Sequence, residues 1–377
     1  MRRLVGRPEL HEWERRPPRP RRLGRAEQLV ELSVRQALHA DLGSHPSCFF
    51  NGQRVFRHAA LLKTEIGLLI YLHMIRIEPD NAILGATVTG VDLARPLSDT
   101  DFARVLWALG QYGVLCFPDQ PIEAAALRAF SARFGGLQAM SSGMKDRGEP
   151  GFPEVSILSN VVENGRHIGI PDAGQDWHTD MTYNSVMGFV NVLVARKVPV
   201  RNGRALGATE FANTQAAYAD LPAELKTKLA NATATHDWNH FHEIMRRKGS
   251  SRPALSEAQR RERPPVSHPV FLTHPISGRK VIYVNPGFTV KIEGLGPDAS
   301  RDMLEALFAH VLKPRYRYAH HWTVGDVLVW DHLGTWHQAV ADYTPEEHRL
   351  MKRCQVLADK VFEPGFLEAA PGRRVPA

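Results

Sequence analysis

Apolar side chains recur with a helical period of three to four residues in four segments of the chain. In the first segment, Ser98 and Asp101 are spaced as in a capping box, and Gly113 ends the apolar stripe. The pattern predicts four helical regions, which are residues 98–113, 121–135, 213–233 with a break at Pro222, and 298–314.

Short runs of branched and aromatic residues, separated by Gly, Pro, Asn and Asp, fill most of the remaining chain. They do not alternate with helices and carry no GxGxxG motif, which argues against a doubly wound parallel sheet. They predict a mostly β fold with flanking helices (α+β), a sandwich or barrel such as a jelly roll. The predicted strands are residues 113–118, 155–162, 188–198, 207–212, 279–286, 317–322, 326–331, 336–340 and 353–359.

Residues 240–275 form a polar, basic and proline-containing excursion from this pattern. Long segments of this kind are often functional, and we expect a lid. The histidines between His236 and Arg247 favour a lid or an oligomer contact over a second metal site.

The positive charge of the chain is concentrated near its N-terminus. The 377 residues have a formal net charge of +7, and residues 1–73 contain 13 Lys and Arg against 7 Asp and Glu. Because this segment is rich in Arg and Pro and lacks the apolar core of a signal peptide, we expect residues 1–73 to be disordered or an over-extended reading frame. Met74 would then begin the folded domain, residues 74–377; a genuine regulatory extension is the alternative.

The remaining composition is that of an ordinary globular protein, 43% hydrophobic and 23% charged. Cys48, Cys116 and Cys354 are widely spaced and form no CxxC pair, which disfavours a disulfide framework or a thiolate zinc site. No run of about eighteen apolar residues occurs, and no basic stripe is interleaved with aromatics. We therefore expect a cytoplasmic protein with no membrane or nucleic-acid partner. We also expect it to form a homo-oligomer, either a dimer or a tetramer.

The stretch "DWHTDMTYN" places His178 and Asp180 two residues apart. On a strand or strand edge, residues with this spacing face the same side. Such a pair alone is weak evidence for a metal site, because a histidine and an aspartate with this spacing also occur in capped turns and in surface pairs. With a second histidine it would complete the facial triad of a non-haem iron oxygenase.

The third ligand has to be chosen among many histidines. His337 begins the strand after the turn "HLGT" and can point back into a barrel. His332 lies in that turn and is expected to be exposed, while His320 and His321 are expected to be peripheral.

Downstream, the stretch "EEHRLMKRCQV" would place Arg349, Met351 and Arg353 on one face of a strand. Two inward arginines are costly to bury unless anions neutralise them. Because the planar guanidinium suits carboxylates, two bound acids are expected, a cosubstrate and a substrate.

Taken together and in this order, "WHTD", "GATEF", "GDVLVWDHLGTWH" and "HRLMKR" resemble the TauD/TfdA family of Fe(II)/2-oxoglutarate-dependent dioxygenases. The resemblance covers roughly residues 75–362. Each motif alone is weak, and the order and spacing of all four make the resemblance specific. It implies a double-stranded β-helix, or jelly roll, with the metal ligands at its open end.

The resemblance assigns roles residue by residue. It implies that His178, Asp180 and His337 hold the iron, and that Thr209 and Arg349 bind the far carboxylate of 2-oxoglutarate. Arg353 falls on the arginine that meets the substrate's anionic group. Asn160, upstream of the first ligands, is a further candidate for the substrate pocket.

The implied reaction hydroxylates a small anionic organic substrate with O2 and converts 2-oxoglutarate to succinate and CO2. A catalytically silent 2-oxoglutarate sensor on the same fold is the alternative, and a zinc hydrolase is a more distant one. The segment "GGLQAMSSGMKDRG" lacks the histidine and tyrosine that contact taurine in the taurine enzymes, so a larger or less polar acid than taurine is expected.

Overall fold

The structure, a computed structural model, describes residues 75–140, 147–249, 254–363 and 365–366. The expectation for residues 1–73 and for a start at Met74 lies outside the described residues. Within them, no helix is both long and apolar enough to cross a bilayer.

Twenty short strands run through the described part of the chain. In chain order they are β1 (Arg76–Pro79), β2 (Ala86–Thr89), β3 (Val114–Phe117), β4 (Gly148–Glu149), β5 (Phe152–Ser159), β6 (Val162–Glu163), β7 (Arg166–His167), β8 (Gly188–Lys197), β9 (Val200–Arg201), β10 (Arg204–Ala205), β11 (Thr209–Asn213), β12 (Thr233–His236), β13 (Val266–Pro269), β14 (Phe271–Thr273), β15 (Lys280–Ile282), β16 (Thr289–Ile292), β17 (Arg317–His320), β18 (Val327–Asp331), β19 (Thr335–Ala339) and β20 (Leu350–Leu357).

The helices of the described residues include every predicted helical region. They are α1 (Asp99–Tyr112), α2 (Ala124–Ser131), α3 (Thr214–Ala219), α4 (Ala223–Leu229), α5 (Trp238–Arg247), α6 (Glu257–Glu262) and α7 (Pro297–Val311). Ser98 caps α1 by accepting a hydrogen bond from the Asp101 backbone, and Gly113 ends the helix in the left-handed conformation. Helix α2 is shorter than predicted: it begins after Glu123, and residues 132–134 after it form a turn.

Two sheets form the frame of the molecule. The larger has the strand order β1-β2-β3-β18-β8-β20-β5-β4, and the smaller has the order β17-β11-β19. All neighbours are antiparallel except β2 and β3. This strand-rich frame with helices on its outside confirms the predicted jelly roll.

The central strands of the larger sheet are buried on both faces. In β18, Val327 and Val329 pack in one hydrophobic cluster, while Leu328 and Trp330 belong to another. The first cluster, the outer core, joins the sheet to α1 and α2. The second, the inner core, joins it to Phe211 of the smaller sheet and thus fills the space between the two sheets.

We predict that Gly110→Ala destabilises the fold, because α1 packs closely against the turn that follows β14. A Cβ atom at position 110 would lie 2.4 Å from Cγ2 of Ile276. Overpacking of this kind costs about 1–3 kcal/mol, and the helix propensity of alanine offsets about 1 kcal/mol of it. Urea unfolding should show a net loss of up to about 2 kcal/mol, with exposed Thr100→Ala as the control. Equal stability of the two variants would contradict the close contact.

Candidate metal centre and substrate cavity

The two candidate histidine ligands face each other across an isolated antiparallel bridge between two chain segments. The His178 amide donates to the His337 carbonyl at 3.0 Å, and the His337 amide donates to the His178 carbonyl at 2.9 Å. The ring centroids lie 4.2 Å apart. This backbone pairing brings together two residues that are far apart in sequence.

The stretch around Asp180 is not a strand, which corrects the expectation from spacing. Only His178 takes part in β-type pairing, and the chain turns from Asp180 onward. Met181 has φ +60°, a value in the left-handed region. The turn, and not strand alternation, therefore aims the Asp180 carboxylate at the two imidazoles.

The three side chains form a compact donor set. His178 Nε2 lies 3.4 Å from Asp180 Oδ1, and His337 Nε2 lies 3.6 Å from Asp180 Oδ2. All three residues are buried, and their donor atoms lie within 4.8 Å of one another. Two imidazoles and one carboxylate are the donors of the non-haem Fe(II) facial triad.

Asp180 keeps its charge although it is buried. Burial alone would raise the pKa of this carboxyl, but Arg353 and the imidazoles of His178 and His337 together hold the pKa well below its usual range. Arg353 Nη1 lies 3.2 Å from Asp180 Oδ2, and Asn191 Nδ2 donates to the same oxygen at 2.9 Å. A permanently ionised carboxylate is the form that binds a metal.

The imidazoles are also in a form that can ligate. His178 Nδ1 donates to the Asp176 carbonyl at 2.7 Å, which holds the ring so that Nε2 is the nitrogen that faces Asp180 and can bind a metal. Burial, with help from neighbouring His178, lowers the pKa of His337 to about 4, so its ring is neutral at pH 7. The donor chemistry of the three residues thus fits Fe(II).

The expectation that His332 is exposed is wrong, whereas His320 lies outside the set of three ligands, as expected. His332 is buried and not exposed: its ring packs 5.8 Å from the His337 ring, and burial lowers its pKa to about 3. His320 is also buried, and its Nε2 lies 3.2 Å from Asp326 Oδ2. The turn "HLGT" is covered by other chain segments, which sequence spacing does not reveal.

Arg349 and Thr209 lie in one neighbourhood. Both are buried, and Arg349 Nε donates to the carbonyl of Gly207 at 3.3 Å, two residues before Thr209. Gly207 has φ +70°, and a Cβ there would come within 2.9 Å of the Arg349 side chain. Burial lowers the pKa of Arg349, and among the described residues no carboxylate lies within 4.0 Å of its guanidinium. A buried guanidinium in this state favours an anionic ligand.

Asn160 has a different neighbourhood from the one expected for a substrate contact. Its Nδ2 donates to the Glu347 carbonyl at 3.1 Å, and its Oδ1 accepts from the Arg349 amide at 2.8 Å. Its side chain therefore holds the turn that precedes β20, and it is not part of the cavity wall described next.

A cavity of about 830 Å³ adjoins the metal centre. His178, Asp180 and Arg353 are part of its wall. Of the three residues predicted to share a face, Met351 and Arg353 lie on one face of β20, where Met351 packs in the inner core and Arg353 lines the cavity with Gln355; Arg349 directly precedes the strand. The aromatic part of the wall consists of Tyr183, Trp238, Phe241 and Phe288.

The segment predicted as a lid covers this cavity. Phe241 of α5 stacks 6.3 Å from the His178 ring, and Phe288 lies 6.0 Å from it. Leu255, Gln259 and Arg263 from the region of α6 complete the wall. The lid expectation is consistent with this position, while its motion stays a prediction.

Sequence reasoning did not find Asn191, Tyr183 or Phe288. Asn191 could have been found from the sequence, since it is a polar residue within the apolar run "GFVNVLVA". It lies two residues before Leu193 on the same strand and therefore faces the same side, which is the inward one. Tyr183 and Phe288 could not have been found in this way, because their positions depend on contacts between distant segments.

The chain is similar to known proteins over most of its length. The family model described as "Taurine catabolism dioxygenase TauD, TfdA family" matches residues 76–355. Pentalenolactone F synthase of Streptomyces arenae is 33% identical over 77% of this chain and 97% of that protein.

Two further relatives agree with this match. Alpha-ketoglutarate-dependent 2,4-dichlorophenoxyacetate dioxygenase of Cupriavidus pinatubonensis is 29% identical over 75% of this chain and 98% of that protein. The crystal structure of a taurine dioxygenase from Burkholderia xenovorans superposes with a TM-score of 0.60, at 27% identity, over 76% of this chain and 90% of that one.

We predict that Asn191→Leu weakens metal binding without emptying the site, because Asn191 orients the Asp180 carboxylate. Loss of such a supporting hydrogen bond typically costs about 10- to 100-fold in metal affinity. Calorimetric titration with Mn(II) measures the effect. Asn184→Leu, a wall residue bonded to Gln138 and not to a ligand, is the control. Unchanged affinity in Asn191→Leu would refute this role.

Proposed function

This chain belongs to the taurine catabolism dioxygenase TauD, TfdA family and is a non-haem Fe(II)/2-oxoglutarate-dependent dioxygenase, and we propose that it hydroxylates a small organic acid held by Arg353. The match spans residues 76–355, most of the proposed dioxygenase domain of residues 74–377. The jelly-roll frame and the His178, Asp180 and His337 donor set are those the reaction requires.

We propose that His178, Asp180 and His337 hold the iron and that Thr209 and Arg349 bind the far carboxylate of 2-oxoglutarate. When bound, iron and 2-oxoglutarate supply the oxygen chemistry, in which O2 is consumed, 2-oxoglutarate becomes succinate and CO2, and the substrate gains a hydroxyl group. The protein contributes position: Asn191 orients Asp180, and the Asp176 carbonyl sets the tautomer of His178.

The assignment of the cosubstrate site rests on the surroundings of Arg349. Arg349 is buried beside Gly207 and Thr209, and among the described residues no carboxylate lies within 4.0 Å of its guanidinium, although Asp342 acts on it from farther away. Burying a guanidinium without a directly paired anion is costly, so its position favours a bound acid that replaces water. The Trp322 indole donates to the Thr209 hydroxyl at 3.0 Å and thereby fixes its orientation.

The wall of the cavity supports an acid with an apolar body. Arg353 offers a cation beside the metal centre, while Tyr183, Trp238, Phe241 and Phe288 offer aromatic surface. These rings also exclude water from the reacting atoms. Taurine is small and polar and fits such a wall less well than the 2,4-dichlorophenoxyacetate after which one relative is named.

The alternative of a silent 2-oxoglutarate sensor gains no support. The relatives named above are a synthase and dioxygenases, and the complete donor set is present. A small molecule is the partner of this site. We propose further that the protein is a cytoplasmic homo-oligomer without nucleic-acid or membrane partners. Its sparse cysteines fit a reducing compartment, and the concentration of charge in residues 1–73 argues against a nucleic-acid partner for the folded domain.

We predict that the two arginines act on different acids. Arg349→Gln should raise KM for 2-oxoglutarate by roughly 10- to 100-fold, the value of a charge-assisted contact. Arg353→Gln should raise KM for the hydroxylated acid by a similar factor and change KM for 2-oxoglutarate much less. Succinate formation with a panel of organic acids provides both constants, with exposed Arg301→Gln as the control.

The opposite pattern, in which Arg353→Gln impairs 2-oxoglutarate and Arg349→Gln impairs the acid, would mean that the two roles are exchanged.

A further inference from the structure

The cavity contains two arginines, and only one of them lies beside a carboxylate of the described residues. Arg353 lies 3.2 Å from the Asp180 carboxylate. Arg263, at the end of α6, lines the same cavity, and among the described residues no carboxylate oxygen lies within 4.0 Å of its guanidinium. The cavity thus holds one cation beside the metal ligands and another on the segment that covers the site.

Aromatic contacts hold Arg263 in place. Its Cζ lies 4.5 Å from the centre of the Trp238 ring and 5.9 Å from that of Tyr183. Asn239 Nδ2 donates to the Arg263 carbonyl at 3.0 Å, which ties α5 to the end of α6. A cation–π contact orients a guanidinium but leaves its charge and its N–H groups available to an anion.

The other acidic groups of the wall do not neutralise Arg263. Glu154 pairs with Arg128 at 3.1 Å, Asp180 belongs to the metal centre, and the Glu262 side chain is exposed. Both arginines act on the Tyr183 hydroxyl. Burial raises the pKa of Tyr183 to about 12 and Asp180 adds to the rise, whereas Arg263 and Arg353 lower the pKa. The two guanidinium groups therefore act on one shared space.

Apolar side chains form part of the wall that the two cations share. Phe241 stacks on the His178 ring and Phe288 meets that ring edge-on, and Ile170 and Met140 also contribute to the wall. A ligand that fills this space and satisfies both cations has an apolar body with an acidic group at each end.

We propose that Arg263 is a second anion-binding residue of the substrate cavity and that the preferred substrate is an organic diacid. One carboxylate of the diacid pairs with Arg353, near the metal centre, and the other pairs with Arg263, under the covering segment. The inference rests on the proposed function, because it assumes that this cavity takes the acid that is hydroxylated.

The test compares diacids with matched monoacids on the full chain loaded with Mn(II) and saturating 2-oxoglutarate, without turnover. The probe pairs are phenylacetate with 4-carboxyphenylacetate, hexanoate with adipate, and cyclohexanecarboxylate with cyclohexane-1,4-dicarboxylate. Calorimetry gives the ratio of diacid to monoacid affinity. We expect the diacid to bind about tenfold more tightly in at least one pair, as a partly exposed charge-assisted contact allows.

Variants locate the effect. Arg263→Gln should abolish the preference for the diacid while it leaves the affinity for the monoacid unchanged, and Arg263→Lys should restore part of the preference. Arg261→Gln removes a neighbouring exposed charge that pairs with Glu257, and it should keep the full preference.

The proposal is overturned by the absence of a diacid preference in all three pairs, or by a preference that survives Arg263→Gln. Binding of 2-oxoglutarate is measured in the same samples. Its absence would refute the proposed function, while the ratio of affinities would still decide the role of Arg263.

Discussion

A buried negative charge at Asp180 is the feature on which the site depends. Isolating a carboxylate from water is costly, and a carboxyl in that position would ordinarily take up a proton. Here two imidazoles, the Arg353 guanidinium and the Asn191 amide surround it and keep it ionised. Because these neighbours are themselves polar and buried, the arrangement is stable only where the fold supplies all of them together.

The jelly-roll frame supplies them from both of its sheets. Asn191 and Arg353 come from neighbouring strands β8 and β20 of the larger sheet, and His337 comes from β19 of the smaller one. The backbone bridge from His337 to His178 then brings in the turn that carries Asp180. The outer and inner cores leave the sheets little freedom to shift, so the donor atoms are positioned by packing on both faces.

Much of this arrangement could be predicted from the sequence, because the alternation of faces along a strand and the residues that form a turn depend only on neighbouring positions. The helix from Ser98 to Gly113 and the shared face of Met351 and Arg353 followed from spacing alone. The ligand set and the role of Arg349 required a resemblance. Burial of His332 and the placement of Arg263 over Trp238 could not be predicted, since each depends on contacts between segments that periodicity does not relate.

The most direct test is the position of a bound metal. Crystals of the protein grown with Mn(II) and 2-oxoglutarate would locate the ion by anomalous diffraction. Our account predicts one anomalous peak within coordinating distance of His178, Asp180 and His337, with the far carboxylate of 2-oxoglutarate on Arg349. A peak elsewhere, for example beside Cys116, His320 and Asp326, with none at the three ligands, would contradict it.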